Sequence, residues 1–354
     1  MGVGFKDEVK LEYLAIRAEY SKLINIDSPG PETIVPVELF TGVNIYRNRQ
    51  AGTLTLTMRK YILKLQDKYR GKITHRDTPT EKSKVKRLAF ENMPRATESV
   101  AATRAIYLEM LGEAAWPTNM VWVELAYYTS YLGQFMQHPQ PEHMRALEHV
   151  MGYILHNPDL GITYGGKLKI PFGLTAMPDH FIESKGVYAV SDSSWNTKAK
   201  PHGGHVVMRA NGPIIWRSRA MKAIPDSTMH AEMNEASAAV KSTTFVRMAL
   251  DQVGRSVVGP TSILGDNAAM YDGATKEGTS SKTRHFERAT ILIKYAVMRL
   301  MAVCYLVSTY FCIADVFTKA TDEATFLRMR AVLRNEKTWG AGMLMHRVMR
   351  RAGF

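Results

Sequence analysis

Apolar residues recur at helical spacing over residues 5–26 (Val9, Leu11, Leu14, Ala15, Leu23) and predict a first helix. Ser28-Pro29-Gly30-Pro31 breaks that pattern. Two strand-like runs follow, VELFTGVNIY over 37–46 and TLTLT over 53–57, joined by the polar turn RNRQAG. MRKYILKLQDKY (58–69) sets Tyr61, Ile62, Leu65 and Tyr69 near one face and predicts an amphipathic helix. Residues 71–95 are basic, polar and dotted with Pro and Thr, which predicts a linker or loop. A helical region spans 98–155, with the aromatic-rich WVELAYYTSYLGQFM and then EHMRALEHVMGYIL, which starts just after Pro139 and Pro141. Asn157-Pro158-Asp159 ends it, and a second loop covers 173–186.

From Val187 the pattern changes to three strands, a helix, a strand, a helix, a strand and a short helix. The strands are VYAVSDS, HVVMRA, PIIWRSR after the turn Asn211-Gly212, TSILGD and AVCYLVS. Asp226 is the expected N-cap of a long helix running to Gln252, with Gly254 just past its end. The basic loop KEGTSSKTRH leads into a helix over 286–299, and a short helix begins near Ala314. Three sequential strands followed by alternating helix and strand predict an α/β fold with a mixed five-stranded sheet.

At 354 residues the chain is long enough for two domains with cores of their own. Its apolar fraction of 45% and charged fraction of 22% are those of a globular protein and exclude wholesale disorder. The surplus of 46 Lys and Arg over 33 Asp and Glu leaves a net charge of +13, which suits a polyanion, nucleic acid being the commonest. Two cysteines, Cys304 and Cys312, exclude a disulfide framework and a thiolate zinc site, and read as buried or incidental. There is no membrane-length apolar run, no secretory signal, and Lys6 where a myristoylation motif needs Ser or Thr. The expectation is an intracellular protein with no membrane partner.

The candidate chemistry lies in four carboxylates. Asp192 lies near the end of the first of these strands, Asp266 ends the fourth, Glu232 is on the long helix and Asp315 opens the last short helix. Phosphodiester hydrolysis by two Mg²⁺ ions needs hard oxygen ligands converging on one small site, and adjacent strand ends plus a crossing helix can supply them. Taken singly, each acid also reads as a turn, cap or exposed helix residue.

The segment 187–319 resembles the ribonuclease H domain of copia-type LTR retrotransposon polyproteins. The resemblance rests on SDSSW, GPIIWRSR, MHAEMNEASAA, GDNAAM, SKTRHFERATILIKY and IADVFTK, in the family's order and near its spacing. It implies a ribonuclease-H-like fold. It also implies Asp192, Glu232, Asp266 and Asp315 as catalytic acids holding two Mg²⁺ ions, with Mn²⁺ as the other candidate ion. His285 would be a substrate or proton-transfer residue, and the RNA strand of an RNA–DNA hybrid the substrate. Two positions depart from the pattern: Ser194 stands where a second acid is usual, and His230 where another Glu is usual.

LFTGVNIYRNRQAGTLTLTMRKYILKL resembles the end of the family's palm and its thumb, and YTSYLGQFMQHPQPEHMRALEHVMGYILHNPDLGITY the connecting region. The implied organisation is a partial reverse transcriptase palm end and thumb over 1–90, a helical connection over 91–173, a ribonuclease-H-like domain over 184–335 and a basic tail over 336–354. The chain has no adjacent Asp pair, the polymerase's metal-binding signature, so DNA synthesis by this chain alone is not expected. Its Met1-Gly2 start reads as a truncated copy or a mis-called gene. The implied setting is cytoplasmic, in a virus-like particle, or nuclear, with a complete reverse transcriptase or other element proteins as partners. Two alternatives stay open: a catalytically dead remnant that binds nucleic acid or pairs with a complete polymerase, and a ribonuclease-H-like DNA nuclease. EKSKVKR (81–87) and the tail read either as hybrid-gripping surfaces or as solvated loops. Trp195, Trp216 and Tyr188 read as buried sheet aromatics or as stacking platforms.

Overall fold

The computed structural model describes residues 38–98, 100–174, 178, 181–182, 186–195, 200–222, 225–275 and 287–336. The predicted helix over 5–26, His285 and most of the basic tail lie outside them. The chain divides into two compact units, Met1–Phe40 and Thr41–Phe354. Everything below concerns the second.

Strands β1 (Val43–Asn48) and β2 (Thr53–Thr57) form the expected hairpin, in register from Asn44↔Thr57 to Asn48↔Thr53. In the turn the Asn48 side chain accepts the Ala51 N–H at 2.9 Å, and Gly52 takes φ +62°. Helix α1 (Arg59–Lys68) buries Ile62 and Leu65, the face its spacing predicted. The supposed linker holds a helix, α2 (Lys84–Glu91), which buries only Phe90 while Val85 and Leu88 stay exposed. So narrow an apolar stripe hid it among basic residues. Helices α3 (Ala101–Met120), α4 (Ala126–Leu132) and α5 (Pro141–His156) fill the predicted helical region. At the start of α5 the Gln140 N–H donates to His143 Nδ1 at 2.9 Å.

Strand β3 (Gly161–Gly165) was not predicted. It pairs antiparallel with β2, Leu56 opposite Ile162, across a hundred residues of sequence. Its composition, GITYG, carries two glycines that disfavour a strand locally. Close approach requires one of them: a Cβ on Gly165 would lie 2.2 Å from the Gly52 carbonyl oxygen.

The second sheet holds β4 (Tyr188–Ser194), β5 (His202–Arg209), β6 (Gly212–Ala220), β7 (Thr261–Gly265) and β8 (Ala302–Leu306), in the order β6-β5-β4-β7-β8. The β4–β5 and β5–β6 pairs are antiparallel, and the β4–β7 and β7–β8 pairs parallel. This is the mixed five-stranded sheet with flanking helices expected from the sequence. Helix α6 (Thr228–Gln252) crosses β4 and β5; α7 (Ala268–Thr275), α8 (Glu287–Met298) and α9 (Glu323–Leu333) complete the set. The N-cap of α6 is Ser227, not Asp226: the Ser227 hydroxyl accepts the His230 N–H at 3.2 Å. Gly254, at φ +66°, ends it as expected.

Alternation along β4 sends its side chains to two cores. Tyr188 and Val190 join Val206, Met208 and Leu264 against the helices of 101–155 and the last helix, α9. Val187 and Ala189 join Val207 and Ile263 against Met233, Ala236 and Val240 of α6 and Ile293 of α8. The sheet is covered on both faces, which is why β4, β5 and β7 are buried along almost their whole length. Among the described residues no helix is long and apolar enough to cross a membrane.

Candidate metal centre

Parallel pairing of β4 and β7 runs from Tyr188↔Ser262 to Val190↔Leu264. Two residues further along, the same register sets Asp192 beside Asp266. A 3-10 turn, Ile313–Phe317, carries Asp315 against β5. Gly204, the partner of Asp192 in the β4–β5 pair, makes that approach feasible, because a Cβ there would lie 2.3 Å from Phe317 Cβ. Glu232 stands near the start of α6, where its Oε1 accepts the backbone N–H of Ser193 at 3.4 Å.

Ligand atoms of Asp192, Asp266, Asp315 and Cys312 all lie within 4.8 Å of one another. Two oxygens bonded to one Mg²⁺ at about 2.1 Å stand at most about 4.2 Å apart, so a spread of up to 4.8 Å lies slightly beyond one ion's ligand shell and within reach of two ions about 3.5–4 Å apart. Asp192, Asp315 and Glu232 are buried, and Asp266 is half-buried. The Cys312 thiol turns to the Ser191 carbonyl at 3.9 Å. Burial, then Asp192 and the other acids, pushes its pKa well above the usual thiol range, so it stays protonated and is a poor partner for a hard cation.

The acids repel one another. Burial, then the charge of Asp192, pushes the Glu232 carboxyl up to about 9. The same two causes, opposed by Lys319, push Asp315 up to about 7. Asp266 is raised for the same reasons. Carboxylates held this high invite cations.

One cation belongs to the chain itself. Lys319 Nζ lies 2.8 Å from Asp315 Oδ1 and 4.0 Å from Asp192 Oδ2. Burial works against its charge, but Asp192 and Asp315 more than offset this and raise its pKa. The Thr318 hydroxyl donates to Asp192 Oδ2. Sequence reasoning assigned neither residue a role, although both lie in the quoted IADVFTK. The i,i+4 spacing of Asp315 and Lys319 was the available signal.

The four predicted acids therefore lie in one neighbourhood, while His285 falls outside the described residues. His230 serves the helix start, its Nδ1 accepting the Asp226 N–H at 3.2 Å. The Ser194 hydroxyl lies 3.5 Å from the His202 carbonyl. Of the aromatics, Tyr188 is buried, Trp216 is half-buried with its indole N–H on the Thr118 carbonyl at 3.1 Å, and Trp195 is exposed. The expectation of buried aromatics fails for Trp195. Both cysteines are buried.

This strand order, with Asp192 on the middle strand, Asp266 just past its parallel neighbour β7 and Glu232 on α6, defines a ribonuclease-H-like fold. Solved structures similar to the chain include ribonuclease H1 of the archaeon Halobacterium salinarum (14% identity, 37% of this chain, 93% of that one, TM-score 0.30). The N-terminal ribonuclease H domain of rv2228c from Mycobacterium tuberculosis is another (12% identity, 40% and 96%, TM-score 0.30). Likeness at that score adds nothing to the topology, on which the fold assignment rests. No family model matches the chain.

Its homologues are retrovirus-related Pol polyproteins of copia-type transposons, at low identity. They include the polyprotein of transposon RE1 of Arabidopsis thaliana (23% identical over 208 residues, 57% of this chain), that of transposon TNT 1-94 of Nicotiana tabacum (20% over 241 residues, 68%) and a transposon Ty5-1 protein of Saccharomyces cerevisiae (25% over 229 residues, 64%). The matched region spans 13% of the length of the RE1 polyprotein and 67% of the Ty5-1 protein.

Proposed function

We propose that the chain is a metal-dependent ribonuclease H that hydrolyses the RNA strand of RNA–DNA hybrids. The observation that carries this reading is the approach of Asp192, Asp266 and Asp315 oxygens to within 4.8 Å in a site that also holds Glu232. Asp192, Asp266 and Asp315 would hold Mg²⁺, or Mn²⁺, with Glu232 completing the set. Bound there, divalent ions supply an activated water and charge stabilisation for the leaving oxygen.

The chain's own residues prepare the site. The Thr318 hydroxyl holds Asp192 Oδ2 in place. The Ser193 N–H orients Glu232. Lys319 offsets part of the negative charge before ions or phosphate arrive. His285, in the basic loop, is the proposed substrate or proton-transfer residue. The hybrid would be told from duplex DNA by 2′-hydroxyl contacts in its shallow minor groove.

The proposed organisation keeps a partial palm end and thumb over 1–90, a connection over 91–173, the nuclease over 184–335 and a basic tail over 336–354. A complete reverse transcriptase or other element proteins would be partners, in the cytoplasm or nucleus. The test is cleavage of a labelled hybrid by purified protein with Mg²⁺ or Mn²⁺, abolished by Asp192→Asn. A hybrid left intact under conditions where a control enzyme cuts it refutes the reading. Binding without cleavage in EDTA and in Mg²⁺ alike would select a non-catalytic remnant, and preference for duplex DNA a DNA nuclease.

A further inference from the structure

Strand β6 and helices α6 and α8 enclose a groove of about 780 Å³ apart from the four acids. Five cationic side chains line it: Arg217 and Arg219 from β6, Lys222 just beyond that strand, Lys241 from α6 and Arg288 from α8. Arg217 and Arg219, two residues apart on an edge strand, share one face of the sheet. Asn234 and Lys241, seven apart, share one face of α6.

None of the five cations forms an ion pair among the described residues. Among the described residues the single carboxylate on the groove wall is Glu235, which is committed elsewhere. Its Oε1 lies 2.6 Å from His205 Nδ1, and His205 Nε2 lies 2.8 Å from the Ser242 hydroxyl, with His205 and Glu235 both buried. That chain holds Glu235 on His205, so it forms no ion pair with the cations, although its charge still reaches Arg217. Burial, and then the proximity of Arg219, lowers the Arg217 pKa, and the charge of Glu235 offsets only part of this. Cations spread over three elements and left unpaired suit a run of phosphates rather than a single small anion.

We propose that this groove is a track for the phosphate backbone of a nucleic-acid strand, holding a stretch of substrate beyond the acid cluster. The identity of that strand rests on the nuclease reading. Lys241 follows Glu232 by nine residues on one helix (241 − 232), about 13 Å at 1.5 Å per residue. That is about four base pairs at 3.4 Å each. A hybrid of about 6 base pairs seated on the acids would barely reach the groove, and one of about 18 would fill it.

The experiment measures hybrid binding in EDTA, where cleavage plays no part, with hybrids of both lengths and over a range of salt. The variant Arg217→Gln/Arg219→Gln/Lys222→Gln/Lys241→Gln should bind the long hybrid roughly 10–100-fold more weakly and leave the short one unchanged. Its salt slope should fall by up to about 3.6, that is about 0.9 for each phosphate no longer neutralised. Lys241→Gln alone, an exposed helix position, should lower the slope by about 0.9 without touching the fold. As a charge-matched control, Arg47→Gln/Arg49→Gln/Lys60→Gln/Lys64→Gln changes net charge equally on exposed positions outside the groove. Equal losses in the two fourfold variants, or unchanged long-hybrid affinity in the groove variant, overturn the track. A nuclease reading that fails by itself shows as uncut hybrid with length-dependent, variant-sensitive binding intact.

Discussion

Arg334→Met should destabilise the protein by about 3–5 kcal/mol, the cost of leaving one partner of a buried ion pair alone. Arg334 follows α9, and its Nη2 and Nε lie 2.5 and 3.1 Å from Glu124 Oε1. The two side chains are 1% and 0% exposed, so the carboxylate left behind has no water to solvate it. Coulomb's law at an effective dielectric constant of about 20 gives roughly 4 kcal/mol for unit charges about 4 Å apart, the same size. Tyr153 donates to the same oxygen at 3.2 Å and would soften the loss. Glu124 Oε2 and Arg334 Nη1 have no hydrogen-bond partner among the described residues, so the pair itself is incompletely compensated. An apolar replacement of both, Glu124→Leu/Arg334→Met, should therefore cost far less than Arg334→Met alone. The assay is urea unfolding of the single and double variants. With a slope of about 3 kcal/mol per molar, the single variant's midpoint should fall by roughly 1–1.7 M. A single variant within about 1 kcal/mol of wild type, or a double variant as unstable as the single, would show that the pair is not the anchor described.

Three more predictions concern the acids. Glu232 and Asp315 have folded-state pKa values of about 9 and about 7, and Asp266 is also raised, all above their unfolded values. The native state thus keeps protons that the unfolded chain releases, so the contribution of these acids to metal-free stability is full below about pH 4 and is lost as pH rises toward 9. The trend is read above about pH 7, where His202, His143 and His149, whose pKa values burial lowers, no longer titrate. Thermal melts in EDTA over that range check this, Mg²⁺ should flatten the trend, and a metal-free protein that gains stability with pH there would contradict it. Asp192→Asn removes the charge that raises its three neighbours, so its metal-free melting temperature at pH 8 should rise while the Mg²⁺-induced increase disappears. A melting temperature that instead falls in EDTA would count against clustered repulsion. Gly204→Ala places a Cβ 2.3 Å from Phe317 Cβ and should cost about 1–3 kcal/mol while weakening Mg²⁺ binding through the displaced Asp315 turn. Calorimetric titration with Mg²⁺ reads the second effect, and wild-type affinity would mean that the turn does not depend on that approach.

The parts of the fold that follow local rules were legible. The alternation in VYAVSDS and the stop at Gly254 reappear in the structure, because strand pleat and helix ends are decided within a few residues. The turn expected at Asn211-Gly212 falls one residue earlier, on Ala210-Asn211, both at positive φ, with Gly212 opening β6. Where several local signals compete, legibility fails. Asp226 and Ser227 are both good caps, and only the direction in which α6 leaves the chain chooses Ser227. Helix α2 was missed because its one buried residue, Phe90, earns its place from tertiary partners such as Tyr128 and Tyr131.

From the order of its residues alone, this protein determined most of its strands and helices, though not β3 or α2, the inward faces of those elements, and which four acids could serve a metal. Family resemblance added their roles but no distances. Tertiary structure decided that β3 pairs with β2, that Lys319 sits between Asp192 and Asp315, and that five cations share one groove without ion pairs among the described residues. The physical reason is range: pleat and helical period act between neighbours, whereas charge proximity and strand pairing join residues tens to a hundred or more positions apart, which no local pattern encodes.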